Sequence, residues 1–261
     1  MDIGQLVCST RLPSPAPVVL KLFDEIESGG ADDFARIIES DPAITARLLR
    51  LANSAFYVKT PVGSVREAVV RVGTLDVAGL VLSTEVVRIF RGISERAFSM
   101  ETFWDHSLLT ACYANALMRP GVQQKAAPIW VCGLLHDIGK LCLVRQAPNA
   151  YRTVLDRVEA GTPLLEAENE ILGVTHATIG GVLLQEWRLP AVLAACAEGH
   201  HAGYDGLDSP SSVVAAANEV ANQEKEVKDL PGRTEAEAEQ VTAGARRLYD
   251  GYRQLFSEYW I

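Results

Sequence analysis

The sequence predicts an all-α protein, a two-lobed helical bundle, and three observations carry that prediction. Apolar residues recur at three- and four-residue spacings along most of the chain. No convincing stretch alternates apolar and polar residues with the period of a strand. Helix-start signals recur, each a small polar residue followed by proline, or by glutamate three positions on. The chain has 261 residues, 48% of them apolar and 22% charged, a globular composition long enough to bury a sizeable core.

The elements follow in order. After the proline-rich lead Leu12-Pro13-Ser14-Pro15-Ala16-Pro17, residues Val18, Val19, Leu22, Phe23 and Ile26 make one face of a first helix. Phe34, Ile37 and Ile38 make a second. Asp41-Pro42 is a cap followed by a first-turn proline: the carboxylate accepts from free backbone N–H groups, and proline has none to leave unpaired. The helix it starts buries Ile44, Leu48, Leu49 and Ala52. Ser64-Val65-Arg66-Glu67 fits a capping box, with Val65, Ala68, Val69 and Val72 inward. Gly73-Thr74 restarts the chain into an apolar helix reaching about Phe90, and the polar stretch 92–99 separates the lobes. The first lobe is thus 1–98 and the second 99–223.

Second-lobe helices are expected near 100–118, 126–146, 148–160, 163–172, 176–188, 190–201 and 210–223. Thr162-Pro163 and Ser209-Pro210 repeat the cap-plus-proline start. Residues 224–261 form a linker and a C-terminal amphipathic helix, opened by the capping box Thr234-Glu235-Ala236-Glu237. Its Val241, Ala245, Leu248, Tyr252, Leu255 and Tyr259 make a short heptad-type seam. Packing on the parent fold is the favoured use of that seam; a homodimer contact is the alternative.

A net charge of -9 without a Lys/Arg cluster argues against nucleic-acid duplexes and anionic lipid as partners. The first residues lack the basic and apolar segments of a signal peptide, and Ser83, Thr84, Glu85 and Arg88 interrupt the most apolar stretch, so neither export nor membrane insertion is expected. The five cysteines, Cys8, Cys112, Cys132, Cys142 and Cys196, form no C-x-x-C pair. They read as reduced, buried residues of a cytoplasmic protein.

The chemistry concentrates in the histidines: His106, His136, His176, His200 and His201, all in the second lobe. In Trp130-Val131-Cys132-Gly133-Leu134-Leu135-His136-Asp137-Ile138-Gly139-Lys140 an apolar helix abruptly presents imidazole beside carboxylate. Burying both unpaired costs several kcal/mol on typical scales, and a divalent metal satisfies both. Neighbouring helix residues point about 100° apart, so Asp137 can sit between two ions while His136 serves one. His200-His201 offers a second adjacent pair, and His106 and His176 one ligand each. Two ions roughly 3.5–4 Å apart suit phosphoester hydrolysis, with Asp137 and Lys140 as the catalytic candidates. Lys140 either reaches a bound phosphate or is a solvated helix-end lysine.

The segment Gly133 to Lys140 resembles the signature of the HD phosphohydrolase superfamily. The first lobe resembles a narrower relative, the HDOD (HD-related output) domain of bacterial signalling proteins. Leu12-Pro13-Ser14-Pro15, the run Ile38-Glu39-Ser40-Asp41-Pro42-Ala43-Ile44-Thr45-Ala46-Arg47-Leu48-Leu49-Arg50-Leu51-Ala52-Asn53-Ser54-Ala55, and Val65 to Gly73 carry that resemblance over about residues 8–222. It implies an all-helical signal-transduction module, often an output or scaffold element. Within it, His106 matches the first histidine ligand of the superfamily and His136 with Asp137 the HD doublet. His176, His200 and His201 match the extra histidines of HD-GYP relatives, which hold two or more ions and cleave cyclic dinucleotides.

Two departures stand out. Asn218, in Val213-Val214-Ala215-Ala216-Ala217-Asn218-Glu219, occupies the place of a late aspartate, and His200-His201-Ala202-Gly203-Tyr204-Asp205-Gly206 lacks the Gly-Tyr-Pro ending. Three readings follow. The leading one is a regulatory or scaffold module with a histidine-rich site for one or two divalent ions (iron, manganese, zinc or nickel), engaging a signalling protein. The second is an active metal-dependent phosphohydrolase with a nucleotide or other phosphate-ester ligand. The third is a relic whose histidines persist as hydrogen-bonders in the core.

Overall fold

In the first part of the chain the sequence opens α1 (Pro17–Asp24), α2 (Ala31–Glu39), α3 (Pro42–Ala52), α4 (Val65–Val72) and α5 (Thr74–Ile89). The computed structural model describes residues 15–26, 30–53, 60–93, 98–118 and 128–256, and among these all regular structure is helical. Asp41 Oδ1 accepts from the amides of Ala43 at 2.9 Å and Ile44 at 3.1 Å, which starts α3 as expected. Ser64 Oγ likewise accepts from Glu67 N at 3.1 Å, while the Glu67 carboxylate reaches back to Gly63 N at 2.9 Å. Ile44, Leu48, Ala52, Val65, Ala68 and Val69 are buried, whereas Leu49 and Val72 are only partly covered. Asn53 explains part of the stretch that carries the resemblance: its amide donates to Val62 O at 3.0 Å and accepts from Val62 N at 2.6 Å. One side chain thereby fastens the two ends of the segment between α3 and α4.

Helix α5 is buried on nearly every side, as an all-round apolar helix must be. Its Ser83 and Thr84 hydroxyls donate to carbonyls of their own helix. Its buried Glu85 accepts from Arg47 at 2.6 Å and from Arg88 at 2.8 Å, so no lone charge is left in the core.

The remainder folds as α6 (Met100–Leu117), α7 (Ile129–Leu135), α8 (Ile138–Gln146), α9 (Pro148–Glu159), α10 (Leu164–Leu172), α11 (His176–Glu186), α12 (Ala191–Gly199), α13 (Pro210–Ala221), a 3₁₀ turn (Val227–Asp229) and α14 (Glu235–Phe256). Helix α5 is joined to this part by Trp130 Nε1, which donates to Asp76 Oδ1 at 2.8 Å, and by Arg145, which reaches Ile89 O. Helix α6 packs against α7, α13 and α14, and α11 against α8 and α12.

Three details differ from expectation. The single helix expected over 126–146 is broken between Leu135 and Ile138, because Asp137 adopts φ −96° and ψ 8° and leaves the regular ladder. At the start of α10, Pro163 rather than Thr162 is the flanking residue, in extended geometry. The stretch expected as a linker is fastened to the bundle: Val227 and Leu230 are buried, and Arg233 donates to Leu117 O at 2.7 Å. Ser209 and Thr234 cap α13 and α14 as expected.

The seam residues of α14 whose side chains are described, which excludes Leu255, pack within the chain. Val241, Ala245 and Tyr252 are buried, and Leu248 is partly buried against the core. Tyr252 stacks on Trp130 with ring centroids 5.6 Å apart, and Tyr249 and Arg253 bond Asp105 of α6. Cys112, Cys132, Cys142 and Cys196 are free and buried. Cys8, Ser54, Ala55, Tyr259 and the segment Leu12-Pro13-Ser14 lie outside the described residues, and part of 92–99 does too.

Candidate metal centre

All five histidines and Asp137 converge, each delivered by a different local device. His106 projects from the first half of α6, and His136 and Asp137 occupy the break between α7 and α8. His176 is the first residue of α11, whose N-cap Thr175 accepts from Thr178 N at 3.3 Å. His200 terminates α12, and His201 follows it. The break is brought against α11 by a close helix crossing. A Cβ on Gly139 would lie 1.9 Å from His176 O and 2.7 Å from Gly180 N, so only glycine lets α8 approach this near.

Asp137 is the hub. Its Oδ1 lies 3.2 Å from His176 Nε2 and 3.3 Å from His200 Nε2. Its Oδ2 lies 3.4 Å from His136 Nε2, 3.6 Å from His106 Nε2 and 2.5 Å from Lys140 Nζ. Two groups of donor atoms therefore share one carboxylate: Asp137, His176, His200 and His201 on one side, and His106, His136 and Asp137 on the other, each group within 4.8 Å. Lys140 is ion-paired to Asp137 and mostly covered.

The opposite ring edges determine what these nitrogens offer. His136 Nδ1 lies 2.6 Å from Gly133 O, and His200 Nδ1 lies 2.8 Å from Ala197 O. A carbonyl can only accept, so both Nδ1 atoms carry the proton. His176 Nδ1 sits 2.8 Å and 3.0 Å from the two oxygens of Glu168, whose Oε2 also accepts the His176 amide at 2.8 Å. With the proton on Nδ1, these three rings turn Nε2 lone pairs inward. His176 Nε2 faces those of His200 at 3.2 Å and His201 at 3.0 Å, and His106 Nε2 faces that of His136 at 3.3 Å. Lone pairs cannot bond one another, and Asp137 Oδ1 is buried without a hydrogen-bond partner. The Oδ1 side of the cluster lacks a positive charge. Donor atoms about 2.0–2.1 Å from one first-row ion stand about 3.0–3.4 Å apart, the range of the Nε2–Nε2 contacts and of the two Oδ1 contacts.

Protonation preferences agree at four of the five imidazoles. Burial, then the neighbouring His136, lowers His106 to about 4, and burial with His200 and His176 lowers His201 to about 3. Burial also lowers His136 and His200. Desolvation works against the Asp137 carboxylate, but His136 and Lys140 outweigh it and hold the group well below the usual range. His176 alone rises: burial and Lys140 oppose its charge, and the carboxylates of Asp137 and Glu168 overcome them. Four imidazoles held neutral around an ionised carboxylate suit metal binding, and a bound ion would take the place of the proton that the carboxylates favour on His176.

Glu168 was not singled out in the sequence, yet it orients His176 as second-sphere carboxylates orient metal-bound histidines. Its signal was a charged residue on the otherwise apolar face of α10, beside Ala167 and Leu172. Asn218 is buried and hydrogen-bonds His106. Tyr204 turns away from the cluster and donates to Glu219. A shallow cleft of about 550 Å³, lined by Lys140, Leu164, His201, Asn218, Asn222 and Glu224 among others, opens beside the cluster.

The description of one family, the HDOD domain, matches residues 12–203. The chain belongs to the HDOD domain family. Solved structures share the HDOD fold at low identity. An HDOD domain protein of unknown function from Geobacter sulfurreducens is 21% identical, with a TM-score of 0.73 over 99% of this chain and 95% of that one. A protein of Shewanella amazonensis, provisionally assigned as a phosphohydrolase, is 24% identical, with a TM-score of 0.75 over 99% and 98%. A provisionally assigned signal-transduction protein of Marinobacter aquaeolei is 20% identical, with a TM-score of 0.67 over 95% of this chain and 57% of that one. A curated Treponema pallidum protein, uncharacterised, is 28% identical over 172 residues, 65% of this chain. This HDOD chain spans about a third of that relative's length, 33%. Among the described residues no helix is long and apolar enough to cross a membrane.

Proposed function

We propose that this HDOD chain is a regulatory or scaffold module of bacterial signal transduction, built around one or two divalent transition-metal ions held by its histidine–aspartate cluster. The observation that carries the metal is Asp137 Oδ1: a buried carboxylate oxygen with no hydrogen-bond partner, flanked by two inward-facing Nε2 atoms at 3.2 Å and 3.3 Å. Leaving such an oxygen unpaired costs about 1–3 kcal/mol or more, and a cation removes that cost. His106, His136, Asp137, His176, His200 and His201 are the proposed ligands. Iron, manganese, zinc and nickel all suit imidazole with carboxylate.

Burial favours a regulatory role over hydrolysis. His136, Asp137, His176 and His200 are all buried, and four donors on the Oδ1 side leave a tetrahedral ion such as zinc there without a vacant position. Asn218, which faces His106, has no charge and cannot act as a base. The signal-transduction protein with this fold is consistent with that role. A phosphohydrolase is the second reading, favoured by the cleft beside Lys140 and His201. When bound, the metal would polarise a phosphoryl oxygen and acidify water; Lys140, which lines the cleft, would have to leave Asp137 to meet a phosphate oxygen there.

The deciding experiment is a panel of phosphomonoesters, cyclic dinucleotides and nucleotides offered to metal-loaded protein. The regulatory reading predicts no turnover above that of Asp137→Ala. Turnover that Asp137→Ala abolishes would replace it with the enzyme.

A further inference from the structure

The two halves of the cluster are not alike. The Oδ1 half gathers four ligand-type residues, Asp137, His176, His200 and His201, and the Oδ2 half gathers three, His106, His136 and Asp137. Four donors complete a tetrahedral shell, whereas three leave a position open. On the three-donor side the chain supplies a cation of its own. Lys140 Nζ lies 2.5 Å from Asp137 Oδ2, with the lysine side chain 18% exposed. Spacing fixes that contact: Lys140 lies three residues after Asp137, in the first turn of α8, so its ammonium folds back over the helix break. Oδ1 receives no comparable donor and is left unpartnered. Each carboxylate oxygen therefore has a different need: Oδ2 is neutralised from within, and Oδ1 is not.

Resting on the metal reading above, we infer that Lys140 is a built-in cation that keeps the Oδ2 half-site closed. The resting protein then carries one ion, on the Oδ1 side, and a second enters only when Lys140 withdraws from Asp137. A divalent ion on Oδ2 and an ammonium on the same oxygen lie a few ångströms apart, and like charges at that range in a poorly solvated site exclude one another. The bridging geometry of Asp137 serves two ions in principle; Lys140 decides whether it does.

The test is a Zn²⁺ titration, followed calorimetrically and by elemental analysis after desalting, on wild type, Lys140→Met and Lys140→Arg. Wild type is expected to retain one equivalent. Lys140→Met keeps the length and apolar stem of the side chain without its charge, and is expected to retain a second equivalent bound at least about tenfold more tightly than in wild type. Lys140→Arg keeps the charge and is expected to remain at one. Two tight equivalents in wild type, or one in all three proteins, would overturn the inference and leave the metal site standing. No retained ion in any of them would overturn the metal reading itself. Thermal melts of the ion-free proteins show whether each variant is folded, and Lys140→Arg is informative even where Lys140→Met is destabilised, since a second equivalent there also refutes the inference.

Discussion

Replacing Glu168 by glutamine removes a charge from behind His176 and changes almost nothing else. Glu168 accepts from His176 Nδ1 at 2.8 Å and 3.0 Å, from His176 N at 2.8 Å and from Tyr151 OH at 3.3 Å. The glutamine carbonyl can keep both His176 bonds, and its NH₂ group then faces the Tyr151 hydroxyl, which can turn to accept. The fold therefore loses no more than about 1 kcal/mol, the worth of one ordinary hydrogen bond. Metal binding loses more, because a carboxylate behind a ligating imidazole raises its basicity; removing such a partner typically weakens affinity by about 10- to 100-fold. That factor corresponds to about 1.4–2.7 kcal/mol. Zn²⁺ affinity is measured by competition with a chromophoric chelator at fixed pH, with the thermal midpoint of the ion-free protein as control. An affinity within about threefold of wild type, at an unchanged midpoint, would refute the claim that Glu168 orients a metal ligand.

Three further outcomes are expected. Gly139→Ala places a methyl 1.9 Å from His176 O, so urea denaturation should show a loss of about 1–3 kcal/mol or more, together with weakened metal binding as α8 is pushed off α11. Asn53→Ala removes both bonds to Val62 and should cost about 1 kcal/mol in the same assay while metal affinity stays at the wild-type value. Asn218→Asp adds an anionic oxygen beside His106 and should tighten binding of a second ion about tenfold or more; an unchanged titration would mean that this side chain does not serve the Oδ2 half-site.

Local signals were legible in the sequence because their physics is local. Asp41, Ser64, Ser209 and Thr234 each satisfy a backbone donor two or three residues away, and neighbouring residues alone reveal that. Five histidines in one lobe, one of them beside an aspartate, are likewise visible in the sequence alone. What stayed hidden depends on distant parts of the chain. The break at His136–Asp137 follows the approach of Gly139 to His176, thirty-seven residues apart in sequence on about ten turns of helix and loop. Glu168 belongs to a helix with its own amphipathic pattern, and its role exists only once α11 starts beside it. The pairing of Lys140 with Asp137 was hidden for another reason: helical spacing allows the contact, but whether the lysine folds back or extends to solvent depends on what surrounds the break. The heptad-type spacing of α14 fitted two partners equally, and the packing on α6 gives those residues an intramolecular use.

Anomalous diffraction from crystals of the protein purified without added metal, collected across the transition-metal edges, tests the central claim most directly. The account predicts a peak within bonding distance of Asp137 Oδ1 and the Nε2 atoms of His176, His200 and His201. Ordered water or a proton-bridged pair of imidazoles at that position, with no anomalous signal, would contradict it.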